Sequence, residues 1–265
     1  MPFVEREGGV RLFWEEWGEG PGLLVAHSYI QHPAVFDGLL AELRSGHRTI
    51  RYDARGAGES TRQGPYDMQT DVDDLIAVAD AAGPIVAAVA NGDSSNRAVH
   101  AAAQRPDLIP YVVSMETVPL HRGEAEGTES LVSSSSVLEA LVGMMRADYR
   151  SGLTAAITRG NPDMTPDEIR ARIDATVAYI DHEASLGRLE AWIRDDPGDD
   201  PRALGERLVV AYEGAGAWFP AELTDLGRDI LPEAQFIRLE GGALSRPDLT
   251  AAVVRGVTGA NAPTS

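Results

Sequence analysis

Residues Ile85–Pro106 read IVAAVANGDSSNRAVHAAAQRP. An apolar run enters a turn of Asn, Gly, Asp and Ser. An Ala-rich stretch then follows and stops at Arg-Pro. The pattern predicts a buried strand, a sharp turn and a helix. A strand feeding a helix through so short a turn constrains the whole chain. The helix must pack back over the strand, and the next strand must return parallel to the first.

The flanking sequence has the same alternation. Strand patterns lie at Arg11–Trp17, Leu23–Ala26, Thr49–Tyr52 and Tyr111–Ser114. Helical spacing covers Pro33–Leu43 and Met68–Ala82. This predicts an α/β domain with a mostly parallel central sheet flanked by helices. After Glu116 the alternation stops. Residues 121–205 carry helix signals and no strand signal, with helices expected over Leu131–Tyr149 and Thr165–Trp192. Thr165-Pro166-Asp167-Glu168 is a helix start with a capping residue, a first-turn proline and a Glu three residues on. Strand patterns resume at Leu208–Tyr212 and Gln235–Leu239, with helices over Ala221–Leu231 and from Pro247. The expected organisation is one core from 1–120 and 206–265, with a helical cap inserted over 121–205.

Composition limits the chemistry. The net charge is −18, so nucleic acid is a poor partner. The chain has no Cys, which excludes disulfides and thiol catalysis. All 23 basic residues are Arg, which excludes Lys Schiff bases. With many Ala and Gly, that usage fits the codon bias of a GC-rich, actinobacterial-like genome. No secretory pattern opens the sequence and no apolar run would span a membrane. A cytoplasmic protein is expected. The six histidines show no metal-like pairing, so neither a metal nor another cofactor is expected. The acidic runs Asp71–Asp74 and Asp195–Asp200 read as solvated surface.

Several stretches, in this order, resemble the α/β-hydrolase superfamily over essentially the whole chain. Val25-Ala26-His27-Ser28 resembles the His-Gly segment after the third strand. Asp53–Ser60 (DARGAGES) resembles the D-x-R-G-x-G-x-S turn. Asn91–Ser95 lies where the nucleophile elbow, G-x-S-x-G, is expected. Tyr212–Pro220 resembles the loop bearing the triad acid, and Leu239–Asp248 the segment bearing the triad base. The resemblance implies a Ser/Asp/His triad, but the residues depart from it. Gly92, fourteen residues before Pro106, takes the nucleophile position. Gly216 falls at the acid position and Ala243 at the base position, and no His follows His182. A serine hydrolase needs a base in reach of its nucleophile.

The candidate catalytic residues are therefore substitutes: Asp93, His32, His27 and Ser94. Ser94 fits a G-x-S-x-N reading of the turn. The alternative is that it packs in the first helical turn. Asp93 reads as a nucleophile or polar anchor, and His27 and His32 as displaced bases. Oxyanion or substrate contacts are expected from Ser28, Tyr29, Asn91, Gly92 and Glu116, with Trp218, Phe219, Met145 and Tyr149 as pocket walls. The Tyr29 and Asp93 backbone N–H groups form the expected oxyanion hole. The leading expectation is non-hydrolytic chemistry of lyase, isomerase or cyclase type. The substrate would be a small, largely apolar, carbonyl-bearing metabolite held between core and cap, in keeping with biosynthesis. The alternatives are an ester or lactone hydrolase using Ser94 or Asp93, and a non-catalytic ligand-binding protein. The expected partner is a small molecule, with no nucleic acid and no membrane; a homodimer is compatible.

Overall fold

The structure, a computed structural model, describes residues 3–120, 129–213 and 221–259. Eight strands form one sheet: β1 Phe3–Glu5, β2 Arg11–Trp17, β3 Gly22–Ala26, β4 Arg48–Tyr52, β5 Ile85–Asn91, β6 Tyr111–Met115, β7 Leu208–Tyr212 and β8 Gln235–Arg238. Their order is β1-β2-β4-β3-β5-β6-β7-β8. The pairings of β1 with β2 and of β2 with β4 are antiparallel. Every pairing from β4 to β8 is parallel. The inner strands, GLLVA in β3 and LVVAY in β7, are buried throughout. A strand covered by helices on both faces needs such a continuous apolar run, whereas β2 alternates.

Helices α1 Asp37–Leu43, α2 Met68–Ala82 and α3 Asp93–Gln104 come before β6. Between β6 and β7, the described residues carry α4 Glu129–Ala147, α5 Tyr149–Gly160, α6 Pro166–Tyr179, α7 His182–Arg194 and α8 Asp200–Leu204. Helices α9 Ala221–Ile230 and α10 Pro247–Thr258 follow β7 and β8. One core packs α2 and α3 on the sheet, around Leu24, Leu75, Ala88 and Val99. The opposite face packs α1 and α10, around Leu23, Leu40, Val89 and Val254. No helix among the described residues is long and apolar enough to cross a membrane.

Sequence periodicity set the elements well and their ends less well. Thr165 makes the expected capping box with Glu168. The single helix expected over Thr165–Trp192 is two, α6 and α7, because Ile180 leaves helical geometry to pair as an isolated bridge with Ala57. Gly58 N–H donates to Tyr179 O, and Asp181 N–H to Gly56 O, both at 2.9 Å. Those backbone bonds replace the helical ones lost at the break. The helix expected to end at Tyr149 stops at Ala147. Asp148 caps a further helix, α5, through Ser151 N–H.

The inserted helices have a core of their own, built from Leu141, Met145, Leu153, Ile173 and Leu189, with Tyr29 from the sheet side set into it. Polar groups tie them down. Thr176 Oγ1 donates to Ile30 O at 3.1 Å, Ser185 Oγ donates to Tyr29 O at 3.0 Å, and Tyr179 OH donates to Asp53.

Asp71 and Asp74 of α2 are not solvated surface, as their acidic run suggested, but buried. Arg55 binds Asp74 through two 2.9 Å contacts. Arg188 of α7 is 2% exposed and binds Asp71, with Nε at 2.9 Å. Asp195 is likewise engaged, with His100 at 3.2 Å and with Asn96 at 2.7 Å. The helical period places Asp71 and Asp74 three residues apart on one face of α2, and that face turns inward.

Removing one partner of a buried ion pair strands the other charge, which costs about 3–5 kcal/mol. Arg188→Met is expected to destabilise the fold on that scale in urea unfolding. Adding Asp71→Asn should recover part of the loss. A cost for Arg188→Met below about 0.5 kcal/mol, the level of a surface pair, would show that this tie does not hold the inserted helices.

Candidate active site

The carboxyl ends of β5, β6 and β7 lie side by side in the sheet, and β5 leads into the turn before α3. Gly92 stands in that turn with φ 63° and ψ −133°, a backbone state that L side chains adopt only under strain. Its neighbours Asn91 and Asp93 are buried while Gly92 is partly exposed, so the turn presents this residue outward. A Cβ built on Gly92 would lie 3.4 Å from Ser28 Oγ, so space alone does not demand glycine there.

Ser94 does not face outward. It is fully buried. Its Oγ lies 2.8 Å from Ala26 O and 2.9 Å from Asn91 O, both acceptors, and it accepts Asn91 N–H at 2.9 Å. The hydroxyl braces the turn against β3, and no side-chain base is among its partners. Asp93 is also buried. Its Oδ1 accepts Tyr29 N–H at 3.0 Å, and its Oδ2 pairs with Arg97. Its pairing with Arg97 and its near-complete burial make it an anchor and not a poised nucleophile. The same bond corrects the expected oxyanion hole. The Tyr29 N–H expected to polarise a carbonyl is committed to the Asp93 carboxylate.

Asn91 links strands, its Nδ2 donating to Met115 O at 3.1 Å and its Oδ1 accepting from Gln31 Nε2 at 2.7 Å. Ser28 is buried and its N–H donates to Gln31 Oε1 at 3.2 Å. Gln31 was not singled out in the sequence, where a lone Gln in a loop has no signature. Arg97 was also missed, although its i,i+4 spacing from Asp93 was a legible signal.

The two displaced-base candidates are held by backbone. His27 lies 3.1 Å from Ser28 O through Nδ1 and accepts Ala54 N–H at Nε2, 3.3 Å away. Those partners fix a neutral ring with its proton on Nδ1. Burial, followed by the Arg97 and Arg188 charges, pushes its pKa down to about 3. His32 caps the turn at Pro33–Phe36, its Nδ1 accepting Ala34 N–H at 3.2 Å. Its ring meets Tyr179 edge-on at 4.8 Å. Partial burial, then Arg51, lowers its pKa. Neither ring is brought to Gly92 by these contacts.

Of the expected walls, Met145 is fully buried in the core of the inserted helices, and Tyr149 stacks on His182 at 4.6 Å. Both hold helices together. The Tyr29 ring is buried in the same cluster, which drives its pKa upward. Trp218, Phe219 and Gly216 lie outside the described residues.

Glu116 is placed differently. It follows β6, and the register pairing Asn91 with Met115 sets Gly92 and Glu116 side by side at the ends of adjacent strands. Glu116 Oε1 accepts Ala243 N–H at 2.8 Å, and Oε2 accepts Glu213 N–H at 3.3 Å. Ala243, expected at the base position, is fully buried. Burial raises the Glu116 pKa, two backbone hydrogen bonds oppose the rise, and the Glu213 charge adds to it. No group of three or more metal-ligating side chains is present among the described residues.

No family profile matches the chain. The chain is 28% identical to 2-(acetamidomethylene)succinate hydrolase from Mesorhizobium japonicum in an alignment of 271 positions that covers 96% of this chain and 88% of that one. A crystal structure of E-2-(acetamidomethylene)succinate hydrolase superposes with a TM-score of 0.74 at 21% identity, covering 98% of this chain and 100% of that one. Bromoperoxidase from Bacillus anthracis superposes with a TM-score of 0.79 at 16% identity, covering 96% and 98%. The chain thus has the α/β-hydrolase fold.

A ring that is neutral when folded, with its pKa at about 3 against 6.5 when unfolded, binds fewer protons than the unfolded chain between those values. Its contribution to stability is present above about pH 6.5 and fades as pH falls through that window. Histidine NMR titration should find the His27 ring neutral at pH 5. Titration of that ring near 6.5 would contradict the backbone-locked geometry.

Proposed function

We propose that this chain is an α/β-hydrolase-fold enzyme that works without a covalent serine step. Its chemistry is of the lyase, isomerase or cyclase kind, on a small, largely apolar, carbonyl-bearing metabolite bound between the sheet edge and the helical cap. The observation that carries this reading is Gly92 in the outward-facing turn, with the nearest serine of the following helix turned into the core. Two further features support it. The chain has no His beyond His182, and the Tyr29 N–H is spent on Asp93. These features favour proximity, dipoles and carboxylates over acyl transfer as the source of catalysis.

A second reading is a hydrolase with a relocated nucleophile, Ser94 or Asp93. It is favoured by the sequence match to 2-(acetamidomethylene)succinate hydrolase over 96% of the chain. It requires either residue to leave its present hydrogen bonds before reacting.

Treatment with a fluorophosphonate followed by intact-mass measurement separates the two, with a serine hydrolase as positive control. The mass is expected to stay unchanged. A one-to-one adduct would show an activated serine and overturn the first reading. Its position, mapped by peptide mass, would show whether Ser94 carries it.

A further inference from the structure

The strained residue after β6 keeps its backbone tied to β7, Glu116 N–H donating to Ala211 O at 2.9 Å, while its side chain turns away from β6. Glu116 is the one non-glycine residue at positive φ among the described residues, at 55°. Such a conformation is strained for a residue with a side chain. The backbone kink carries its side chain across the carboxyl ends of β7 and β8, where the Ala243 and Glu213 amides hold the two carboxylate oxygens. A second carboxylate stands beside it. A Cβ placed on Gly242 would lie 3.6 Å from Glu213 Oε2 and 4.0 Å from Glu116 Oε1. No arginine is within salt-bridge distance of either carboxylate among the described residues; Arg238 reaches only Glu213 O, at 3.4 Å. Two carboxylates thus share one partly buried corner at the ends of β6 and β7, beside Gly242 and without an arginine partner among the described residues, an arrangement suited to proton transfer.

We propose that Glu116 is the proton-accepting group of this site, acting as a general base on a carbon acid whose reacting end carries no negative charge. This rests on the reading that the enzyme forms no acyl intermediate. The fixed amides orient the carboxylate, so one lone pair on each oxygen remains directed away from the backbone. A substrate C–H beside a carbonyl gives its proton to Glu116, and the C–H electron pair moves into the carbonyl to form an enolate. Return of that proton to a different carbon completes an isomerisation. Departure of a leaving group from the next carbon with its electron pair completes an elimination, and the proton passes from Glu116 to the leaving group or to water. An anionic reacting end would meet both Glu116 and Glu213, so neutral ketones, lactones and amides are the favoured class. Burial and the Glu213 charge raise the Glu116 pKa, which makes the carboxylate a stronger base.

The test uses 5-nitrobenzisoxazole, whose ring opening needs only a base to remove one C–H proton. The N–O bond then breaks to give a nitrile and a coloured phenolate. The wild-type protein is expected to accelerate this at least about 100-fold over acetate at equal concentration, within the usual range for a positioned base. The rate should rise with pH through a midpoint above the ordinary Glu value of about 4.3. Glu116→Gln should lose at least about tenfold, and Glu116→Asp should keep part of the rate. Glu213→Gln should lower the midpoint by removing a like charge. Circular dichroism checks that each variant is folded, and Glu116→Asp keeps the test decisive if Glu116→Gln is not. A wild-type rate no faster than acetate, or an unchanged rate in a folded Glu116 variant, overturns the proposal. A fluorophosphonate adduct would overturn the non-covalent reading separately, because the benzisoxazole assay involves no serine.

Discussion

The Asp93 carboxylate beneath the β5–α3 turn is the constraint on which much of this structure depends. A buried charge must be paired and hydrogen-bonded, and Asp93 meets that demand from two directions. Tyr29 N–H fixes the loop after β3, and Arg97 fixes the helix that follows the turn. Arg97 lies 3.8 Å from Asp71, which is held in turn by Arg188 of α7. One continuous chain of paired charges thus runs from the floor of the site into the inserted helices. Arg188 also donates to Arg55 O, and Arg55 binds Asp74. The DARGAGES turn, the turn after β5 and the inserted helices are therefore positioned by one network.

That network changes what the site can do. In a serine hydrolase the loop after β3 keeps an N–H for the developing oxyanion. Here the same N–H stabilises an internal carboxylate. Ser94 follows the same logic, its hydroxyl bridging β3 and β5 from inside the core. The Tyr29 N–H and the Ser94 hydroxyl are thus used for cohesion, and two further carboxylates lie at the ends of β6 and β7. Glu116 and Glu213 stand there, next to the fully buried Ala243.

Much of the fold was legible in the sequence because buried parallel strands and capped helices leave local marks. The run IVAAVAN, the Pro106 stop and the Thr165 capping box are each decided within a few residues. Gly92 and Ala243 are read directly from the sequence. What failed were inferences about direction. Asp71, Asp74 and Asp195 read as solvent-facing because acidic runs usually are, yet their partners are arginines and a histidine distant in sequence. His27 and His32 read as possible bases because they follow the third strand, and backbone amides and carbonyls occupy three of their four ring nitrogens.

The sequence by itself determined the alternation of strands and helices and the residue types at each turn. Those depend on spacing, side-chain volume and backbone preference within a short window. Only the tertiary structure decided which polar atoms are spent and which face the site. Hydrogen-bond satisfaction is settled among residues far apart in the chain. Tyr29 meets Asp93, Glu116 meets Ala243 and Arg188 meets Asp71 across separations of 64, 127 and 117 residues.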